Sequence, residues 1–295
     1  MANTSLAAPV SPSQFAGKKL TFWGVIRSES LKFRSLVTNW VITLVTALVM
    51  IGMAPLYATI LNSMARDAES LAKMSEQMEQ TNAGIESITN LAYAMGSSGI
   101  DLANMLVASL AAVFIGSEYS TRSIQAALTA VPRRTGYYLA KLIVLSVYSF
   151  VLGVVVTGIG YWVGYAVLDS SVKDTLEFNN GLMLNWVAAG IYFMLMAWMG
   201  YGFGTLFRNN AAGIVMVVVV FFILPIIAAI FSGQVEWVAD AMNYLPSSLG
   251  RVILTYDLRA DADMGYLEAG SWFALWAFIP ALLGYLRFRF SDTRG

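Results

Sequence analysis

The stretch LIVLSVYSFVLGVVVTGIGYWVGYAVL, residues 142–168, decides the class of fold. Its 27 residues carry no charge, and about 20 apolar residues in a helix suffice to cross the hydrocarbon core of a bilayer. Five other apolar runs are also long enough to be candidate spans, and the second of the six along the chain is the shortest. We therefore expect an all-α integral membrane protein with six transmembrane helices, at 41–61, 100–117, 142–168, 182–207, 211–231 and 269–286.

The composition of the whole chain agrees with this expectation. Of its 295 residues, 58% are hydrophobic and only 12% are charged, against about 25% charged in soluble proteins. The 18 basic and 18 acidic residues cancel, which argues against binding of nucleic acid. There is no Cys and no His. Disulfides, His/Cys zinc sites and His-based catalysis are thereby excluded, and we expect no catalytic residue and no bound metal.

The six predicted spans leave only short segments of the chain between and around them. None of these pieces is long enough for an ordinary soluble domain, so residues 41–295 are predicted to form a single transmembrane domain. Residues 1–20 are rich in Ala, Ser and Pro and lack the apolar region of a secretory signal peptide. They are predicted to be a disordered tail on the cytoplasmic side.

The distribution of Lys and Arg predicts the orientation. Six spans place both termini on one side of the membrane, and that side carries thirteen basic residues but only three acids, Glu29, Glu118 and Asp292. The opposite side carries five basic residues and fifteen acids. Because loops rich in Lys and Arg remain in the cytoplasm, both termini are predicted to be cytoplasmic. The basic face also suits anionic lipids of the inner leaflet.

Residues 21–40 precede the first span and read as an amphipathic helix in the interface. Apolar residues recur at spacings of three to four, and charged residues stand between them. Thr21 is the expected N-cap. The alternative is a plain basic flank that anchors the first span. The charged residues of this predicted interfacial helix are Arg27, Glu29, Lys32 and Arg34.

The loop between spans 2 and 3 is predicted to contain a short helix. Ile124, Ala127, Leu128 and Val131 share one helical face, and Pro132 ends the pattern. A loop that only connects two spans does not need this amphipathic pattern. The inner loop is therefore the segment from which we expect a specific function.

The two long outer segments also carry helical patterns. Residues 62–101 are expected to continue the first span outward or to fold back as a hairpin. Their role is either that of a solvated acidic loop or that of a lid over an outer exit. Residues 232–268 are expected to form two short helices that dip into the outer interface, interrupted at Pro246. A final acidic loop then leads into the last span.

Within the spans, polar and aromatic residues allow two interpretations. They either form the aromatic belt at the membrane interface or line a substrate path. Asn104 has the further alternative of a helix-end role near Asp101. The glycine pairs Gly160/Gly164 and Gly200/Gly204 are expected to allow close helix approach. The candidate path residues are Asn104, Trp162, Tyr165, Tyr192 and Trp198.

The inner loop resembles that of the permease subunits of type 2 ATP-binding-cassette (ABC) transporters, the bacterial exporters of antibiotic and bacteriocin resistance. Arg122 and Ser123 stand where that family commonly has Gly-Thr. The charged stretch 29–34 and the end of span 4, residues 206–209, add to the resemblance. The inner-loop positions that fit the family pattern are Gly116, Glu118, Tyr119, Ile124, Leu128, Pro132, Arg134 and Lys141.

The resemblance implies that the inner-loop helix is a coupling helix that seats in a groove of an ATPase, and that the segment from Glu118 to Pro132 carries ATP-driven movement into spans 2 and 3. The interfacial helix would lie beside the same ATPase. The chain has no GxxxxGK[ST] loop, so two copies of a separate ATPase would bind ATP and Mg²⁺. A second copy of this or a similar permease would complete the alternating-access path. The implied ATPase-coupling residues are Glu118, Tyr119, Thr121, Arg122, Ser123, Ile124, Leu128, Pro132, Arg133 and Arg134.

Two other classes of function stay open at this point. A secondary transporter or channel usually places an ionisable group in its path, and the predicted spans hold none at mid-depth. A membrane-embedded lipid-modifying enzyme needs clustered acids, Ser or His at one interface. For the exporter, the aromatic and uncharged spans suggest an amphiphilic cargo such as a peptide antibiotic, a drug or a lipid-like molecule. The resemblance implies a location in the bacterial cytoplasmic membrane.

Overall fold

The computed structural model describes residues 21–74, 88–131, 133–256 and 264–290, with side chains throughout except at 68–74. The predicted tail 1–20 and Pro132 lie outside this part of the chain. Within it, every long regular element is a helix. Six helices are long and apolar enough to cross a membrane, as expected of a multi-pass membrane protein. We call them spans 1 to 6: Val37–Met74, Ile100–Ser120, Arg134–Val167, Asn180–Phe207, Asn210–Ser232 and Tyr266–Phe290.

Shorter helices lie at the two ends of this bundle. The N-terminal helix, Phe22–Ser35, and the inner-loop helix, Ser123–Ala130, lie at what we call the inner end. The first outer helix, Glu236–Asn243, and the second outer helix, Pro246–Leu254, lie at the opposite, outer end. A helical segment at 88–93 and a 3₁₀ turn, Met95–Ser97, also belong to the outer end.

The observed bounds correct several predictions. The N-terminal helix ends at Ser35 instead of residue 40, because Leu36 is extended and span 1 begins at Val37. Span 1 continues to Met74, which is the outward extension that the pattern allowed. Span 3 begins at Arg134, eight residues before its predicted start, and therefore contains Lys141. Span 2 keeps its predicted start and runs three residues further, to Ser120.

Span 4 is the centre of the bundle because its glycines allow other helices to approach it closely. A Cβ on Gly204 would lie 2.9 Å from the carbonyl oxygen of Ala112 on span 2. Gly200 packs directly on Ala108 of the same span, and Gly202 packs on Pro280 of span 6. On the other side of the bundle, a Cβ on Gly164 would lie 3.2 Å from the Ala54 carbonyl oxygen of span 1. The close helix approach predicted for the two glycine pairs is confirmed at these positions.

Span 5 changes its helical winding in the middle. Residues Val219–Ile223 form a π-helical turn, and the α-helix resumes at Leu224 with Pro225 in its first turn. A proline cannot donate a backbone hydrogen bond to the preceding turn, so a local change of winding before it is expected. Pro55 and Pro280 lie inside spans 1 and 6 without such a turn.

Candidate functional site

Four charged side chains from three segments of the chain meet at the inner end. Lys141 Nζ lies 2.5 Å from Glu29 Oε2 and 3.1 Å from Glu118 Oε1. Lys32 Nζ lies 2.7 Å from the same Glu118 oxygen and 3.1 Å from Glu29 Oε1. Each lysine thus bridges both carboxylates, and the charges of the set cancel. We call these four residues the ionic cluster.

The N-terminal helix brings two members of the ionic cluster into place. Thr21 Oγ1 accepts a hydrogen bond from Gly24 N at 3.2 Å and starts the helix as its N-cap, as predicted. Val25, Glu29 and Phe33 then follow at four-residue spacing and are buried on one face. The helix therefore presents Glu29 to the bundle, and its location in the membrane interface stays a prediction.

The other end of the N-terminal helix is tied to span 1. Asn39 Nδ2 donates to the Phe33 carbonyl oxygen at 2.9 Å, and Trp40 Nε1 donates to the Arg34 carbonyl oxygen at 2.8 Å. These bonds satisfy carbonyl groups that a helix end leaves without partners. The two helices consequently meet at a fixed corner at Leu36.

Aromatic side chains pack against the ionic cluster. The Tyr137 hydroxyl of span 3 donates a hydrogen bond to Glu118 Oε2. Lys141 Nζ lies 3.8 Å from the centre of the Phe114 ring, and Phe33 meets that ring edge-on. The Lys141 side chain is fully buried, whereas the Lys32 side chain is 37% exposed. A buried cation needs such complete pairing, because an uncompensated buried charge is strongly destabilising.

Lys32 stands at the boundary between this buried site and solvent. Its partial burial lowers its pKa, but the hydrogen bonds and charges of Glu118 and Glu29 outweigh burial and raise the pKa above its ordinary value of 10.5. Lys32 is therefore charged at neutral pH. Arg27 and Arg34 of the same helix are exposed and lie outside the ionic cluster.

The inner-loop helix lies directly after span 2, as the pattern predicted. Arg122 makes the turn between them in the left-handed conformation, with φ of 56°. Ile124 is buried, and Ala127 and Leu128 pack against the core from the same face. Glu118 belongs to the last turn of span 2, just before the inner-loop helix, and its coupling role stays a prediction. The exposed face of the inner-loop helix consists of Ser123, Gln125, Ala126, Thr129 and Ala130.

A cleft of about 220 Å³ separates the N-terminal helix from the inner-loop helix. Small residues form both of its walls, and three polar residues of the inner end close its floor. The two helices thus form one composite surface at the inner end. The walls are Gly24, Val25, Ser28, Ala127, Ala130 and Val131, and the floor is Glu29, Lys32 and Tyr137.

The remaining predicted coupling residues tie the inner ends of the spans together. Tyr119 lies under the Arg208 guanidinium, 5.9 Å from ring centre to Cζ. Thr121 Oγ1 donates to the Ser117 carbonyl oxygen at 2.8 Å and shares a 3.0 Å contact with the Ser123 hydroxyl. Arg133 flanks the start of span 3. Next to it, Arg134 Nη1 donates to the carbonyl oxygens of Phe288 and Arg289 at the end of span 6, at 3.3 and 3.2 Å.

The five predicted path residues fall in three separate places. Asn104 and Tyr192 are hydrogen-bonded to each other inside the bundle, with Nδ2 3.2 Å from the hydroxyl oxygen. Trp162 and Tyr165 touch at the outer end of span 3, where Trp162 is 51% exposed. Trp198 Nε1 donates to Ser146 Oγ at 2.7 Å, between spans 4 and 3. The structure therefore brings Asn104 together with Tyr192 and Trp162 together with Tyr165, and their role as path residues stays a prediction.

Sequence reasoning did not find the ionic cluster. It treats Glu29 and Lys32 as charges of an interfacial helix, names Lys141 only within the family pattern, and does not single out Tyr137 or Phe114. A signal was present, because the basic side has only three acids, and two of them are the carboxylates of the ionic cluster. In the part of the chain that the structure describes, no three acidic residues lie close enough together to hold a metal ion.

The fold and the inner end define a helical multi-pass membrane protein with a composite surface of two short helices. No protein-family model and no curated protein matches the chain.

Proposed function

We propose that this chain is the permease subunit of an ABC exporter and forms half of the translocation path. A separate ATPase, present in two copies with its own ATP and Mg²⁺, would dock at the inner end. A second copy of this or a similar permease would supply the other half of the path. The cargo would be amphiphilic, such as a peptide antibiotic, a drug or a lipid-like molecule.

The observation that carries this proposal is the connection between the inner-loop helix and the bundle. The helix exposes one face and buries Ile124 with the other. One turn before it, Glu118 bonds to Lys141 and Tyr137 of span 3. A force on the exposed face is therefore transmitted to spans 2 and 3 together. This is the mechanical arrangement that an ATP-driven permease requires of its coupling helix.

The ionic cluster adds the N-terminal helix to the same moving unit. Lys141 holds Glu29 of that helix and Glu118 of span 2 at once, so the three segments are expected to move as a rigid group. In the proposed complex the N-terminal helix would flank the ATPase, and the cleft between the two short helices would receive a side chain of the ATPase.

The distribution of basic residues supports the orientation within this proposal. The inner end would face the cytoplasm of a bacterium, with both termini on that side, because the basic residues concentrate there. The outer helices would then face the exterior, and the protein would reside in the cytoplasmic membrane.

The alternative functions receive less support from the buried charges. Among the described residues, the buried charged side chains are Glu29, Glu118 and Lys141. They pair with one another at the inner end and leave no charge for an ion path at mid-depth. A lipid-modifying enzyme would likewise need acids available to a substrate. The secondary transporter, the channel and the membrane enzyme therefore remain less favoured alternatives.

Co-purification tests the proposal. The tagged chain, purified from its native membrane in mild detergent, is expected to carry an ATPase that hydrolyses ATP. Ala126→Arg, on the exposed face of the inner-loop helix, is expected to lower the recovered ATPase at least tenfold without changing the stability of the chain. Ala239→Arg, an exposed position on the first outer helix, is the matched control. If no nucleotide-binding protein accompanies the wild-type chain, the proposal is wrong.

A further inference from the structure

A buried polar pair near the outer end has an unsatisfied atom. Asn104 is 2% exposed and Tyr192 is 1% exposed. Asn104 Nδ2 donates to the Tyr192 hydroxyl, while Asn104 Oδ1 has no hydrogen-bond partner among the described residues. Turning the amide over would let Oδ1 accept from the hydroxyl and leave Nδ2 unpaired instead. In either orientation, one polar atom of the amide is unpaired.

An unpaired amide atom in an apolar interior is unfavourable, because it has lost its hydrogen bonds to water without gaining others. An apolar side chain of similar size at residue 104 would avoid this penalty. Most buried polar atoms in proteins are paired, and an exception calls for an explanation such as a ligand or an internal water.

The pair is covered from the outer side by the second outer helix. Gly250 of that helix lies against the Tyr192 ring, where a Cβ would be 2.6 Å from Tyr192 Cε2. The end of the helix is held by Asn185, whose Nδ2 donates to the Leu254 carbonyl oxygen at 2.8 Å. Phe273 of span 6 stacks on Tyr192 with ring centres 4.6 Å apart. The pair therefore has an aromatic wall and a helical cover.

We propose that Asn104 and Tyr192 form a binding subsite for an uncharged amide or hydroxyl group of the cargo, reached when the second outer helix moves off the Tyr192 ring. The subsite offers an amide and a hydroxyl but no basic hydrogen-bond partner, so a carboxylate group would be desolvated without compensation. The stacked rings suit an apolar or aromatic group beside the polar one. The term cargo rests on the proposed transport function, but ligand binding at the subsite can be measured on the chain alone.

The test uses N-acetyl-phenylalaninamide and its charged analogue N-acetyl-phenylalaninate as probes. Their binding to the purified chain in lipid nanodiscs is measured by saturation-transfer NMR. The amide is expected to bind saturably and the carboxylate at least tenfold more weakly. Asn104→Leu is expected to weaken binding of the amide about tenfold, the equivalent of one hydrogen bond of about 1.4 kcal/mol. Tyr192→Phe keeps the ring stack and is expected to weaken binding severalfold.

Ser149→Ala is the matched control, because Ser149 of span 3 is also buried with an unpaired hydroxyl. It is expected to bind the amide like wild type. The proposal is overturned if the wild-type chain shows no saturable binding, or if the amide and the carboxylate bind equally. Unchanged amide binding in both folded variants, Asn104→Leu and Tyr192→Phe, would also overturn it and leave the pair a structural one.

A further variant tests the cover. Asn185→Ala removes the bond to Leu254 and is expected to raise the association rate of the amide, because the second outer helix must open first. An unchanged rate would contradict entry past this helix. Because neither measurement involves an ATPase, failure to find an ATPase partner would remove the proposed function and leave this result standing.

Discussion

Lys141 and Glu29 are 112 positions apart in the chain, yet Lys141 Nζ lies 2.5 Å from Glu29 Oε2. This ion pair joins the N-terminal helix to span 3, and Glu118 of span 2 joins them through the same ammonium group. The three segments are thus joined by ion pairs in addition to their apolar packing.

The first prediction concerns this ion pair. Lys141→Met leaves two buried carboxylates with Lys32 as their remaining cation and is expected to lower the free energy of unfolding by about 3–5 kcal/mol. Denaturant titration in mixed micelles measures it. Arg27→Met, at an exposed position on the N-terminal helix, is the control and is expected to change stability by less than about 0.5 kcal/mol. The double variant Glu29→Gln/Lys141→Met retains the Lys32–Glu118 pair, and we expect it to recover part of the loss.

A second prediction concerns the turn before the inner-loop helix. Arg122 has φ of 56°, a conformation that is unfavourable by about 1–2 kcal/mol for a residue with a Cβ. Arg122→Gly is expected to stabilise the chain by about 0.5 kcal/mol, since the greater freedom of unfolded glycine offsets part of the relief. Arg133→Gly, where φ is −81°, should instead be destabilising. Equal losses of stability in both variants, measured by thermal unfolding, would show that the Arg122 turn is not strained.

A third prediction concerns the contact between spans 2 and 5. A Cβ on Gly116 would lie 2.5 Å from the backbone nitrogen of Asn210 and 2.7 Å from its Cα. Gly116→Ala is therefore expected to displace the turn between spans 4 and 5 and to destabilise the chain by about 1–3 kcal/mol. Gly136→Ala, at the same end, would place its Cβ 3.9 Å from the nearest side chains. In the same denaturant titration, Gly136→Ala is expected to be neutral or slightly stabilising. If the Gly116→Ala chain is as stable as the Gly136→Ala chain, the close contact between Gly116 and Asn210 is refuted.

A fourth prediction concerns orientation, and the absence of native Cys makes it simple to test. Ala126→Cys on the inner-loop helix and Ala239→Cys on the first outer helix each introduce one exposed thiol. A membrane-impermeant maleimide added to intact cells is expected to label Ala239→Cys, and Ala126→Cys only after the membrane is opened. The reverse labelling pattern would show that the inner end faces the exterior, which contradicts the proposed topology.

The sequence predicted the spans better than their ends. A charge-free run identifies the hydrocarbon-crossing part of a helix, but it stops at the first charge. Span 3 begins at Arg134 and not at residue 142 because Lys141 is neutralised by two carboxylates and can be buried in the helix. The two outer helices follow their predicted pattern, since their amphipathic faces are local features of the sequence.

The ionic cluster could not be predicted in the same way because its contacts are not local. Glu29 and Lys32 read as surface charges until the fold places them beside Glu118 and Lys141, 86 and 112 positions away. The Asn104–Tyr192 contact is likewise set by the packing of span 2 on span 4. Helical periodicity identifies the face on which a residue lies but not which helix packs against that face.

The positions of the ionic cluster along the chain have a consequence for biogenesis. Its four charged residues and Tyr137 all precede residue 142, so the ribosome delivers them before spans 4, 5 and 6 exist. The cluster can close as soon as span 3 has entered the bilayer, and the first half of the protein then has a fixed geometry. The glycine-lined span 4 arrives later and packs against a partly assembled template, which limits the wrong pairings available to a nascent membrane protein.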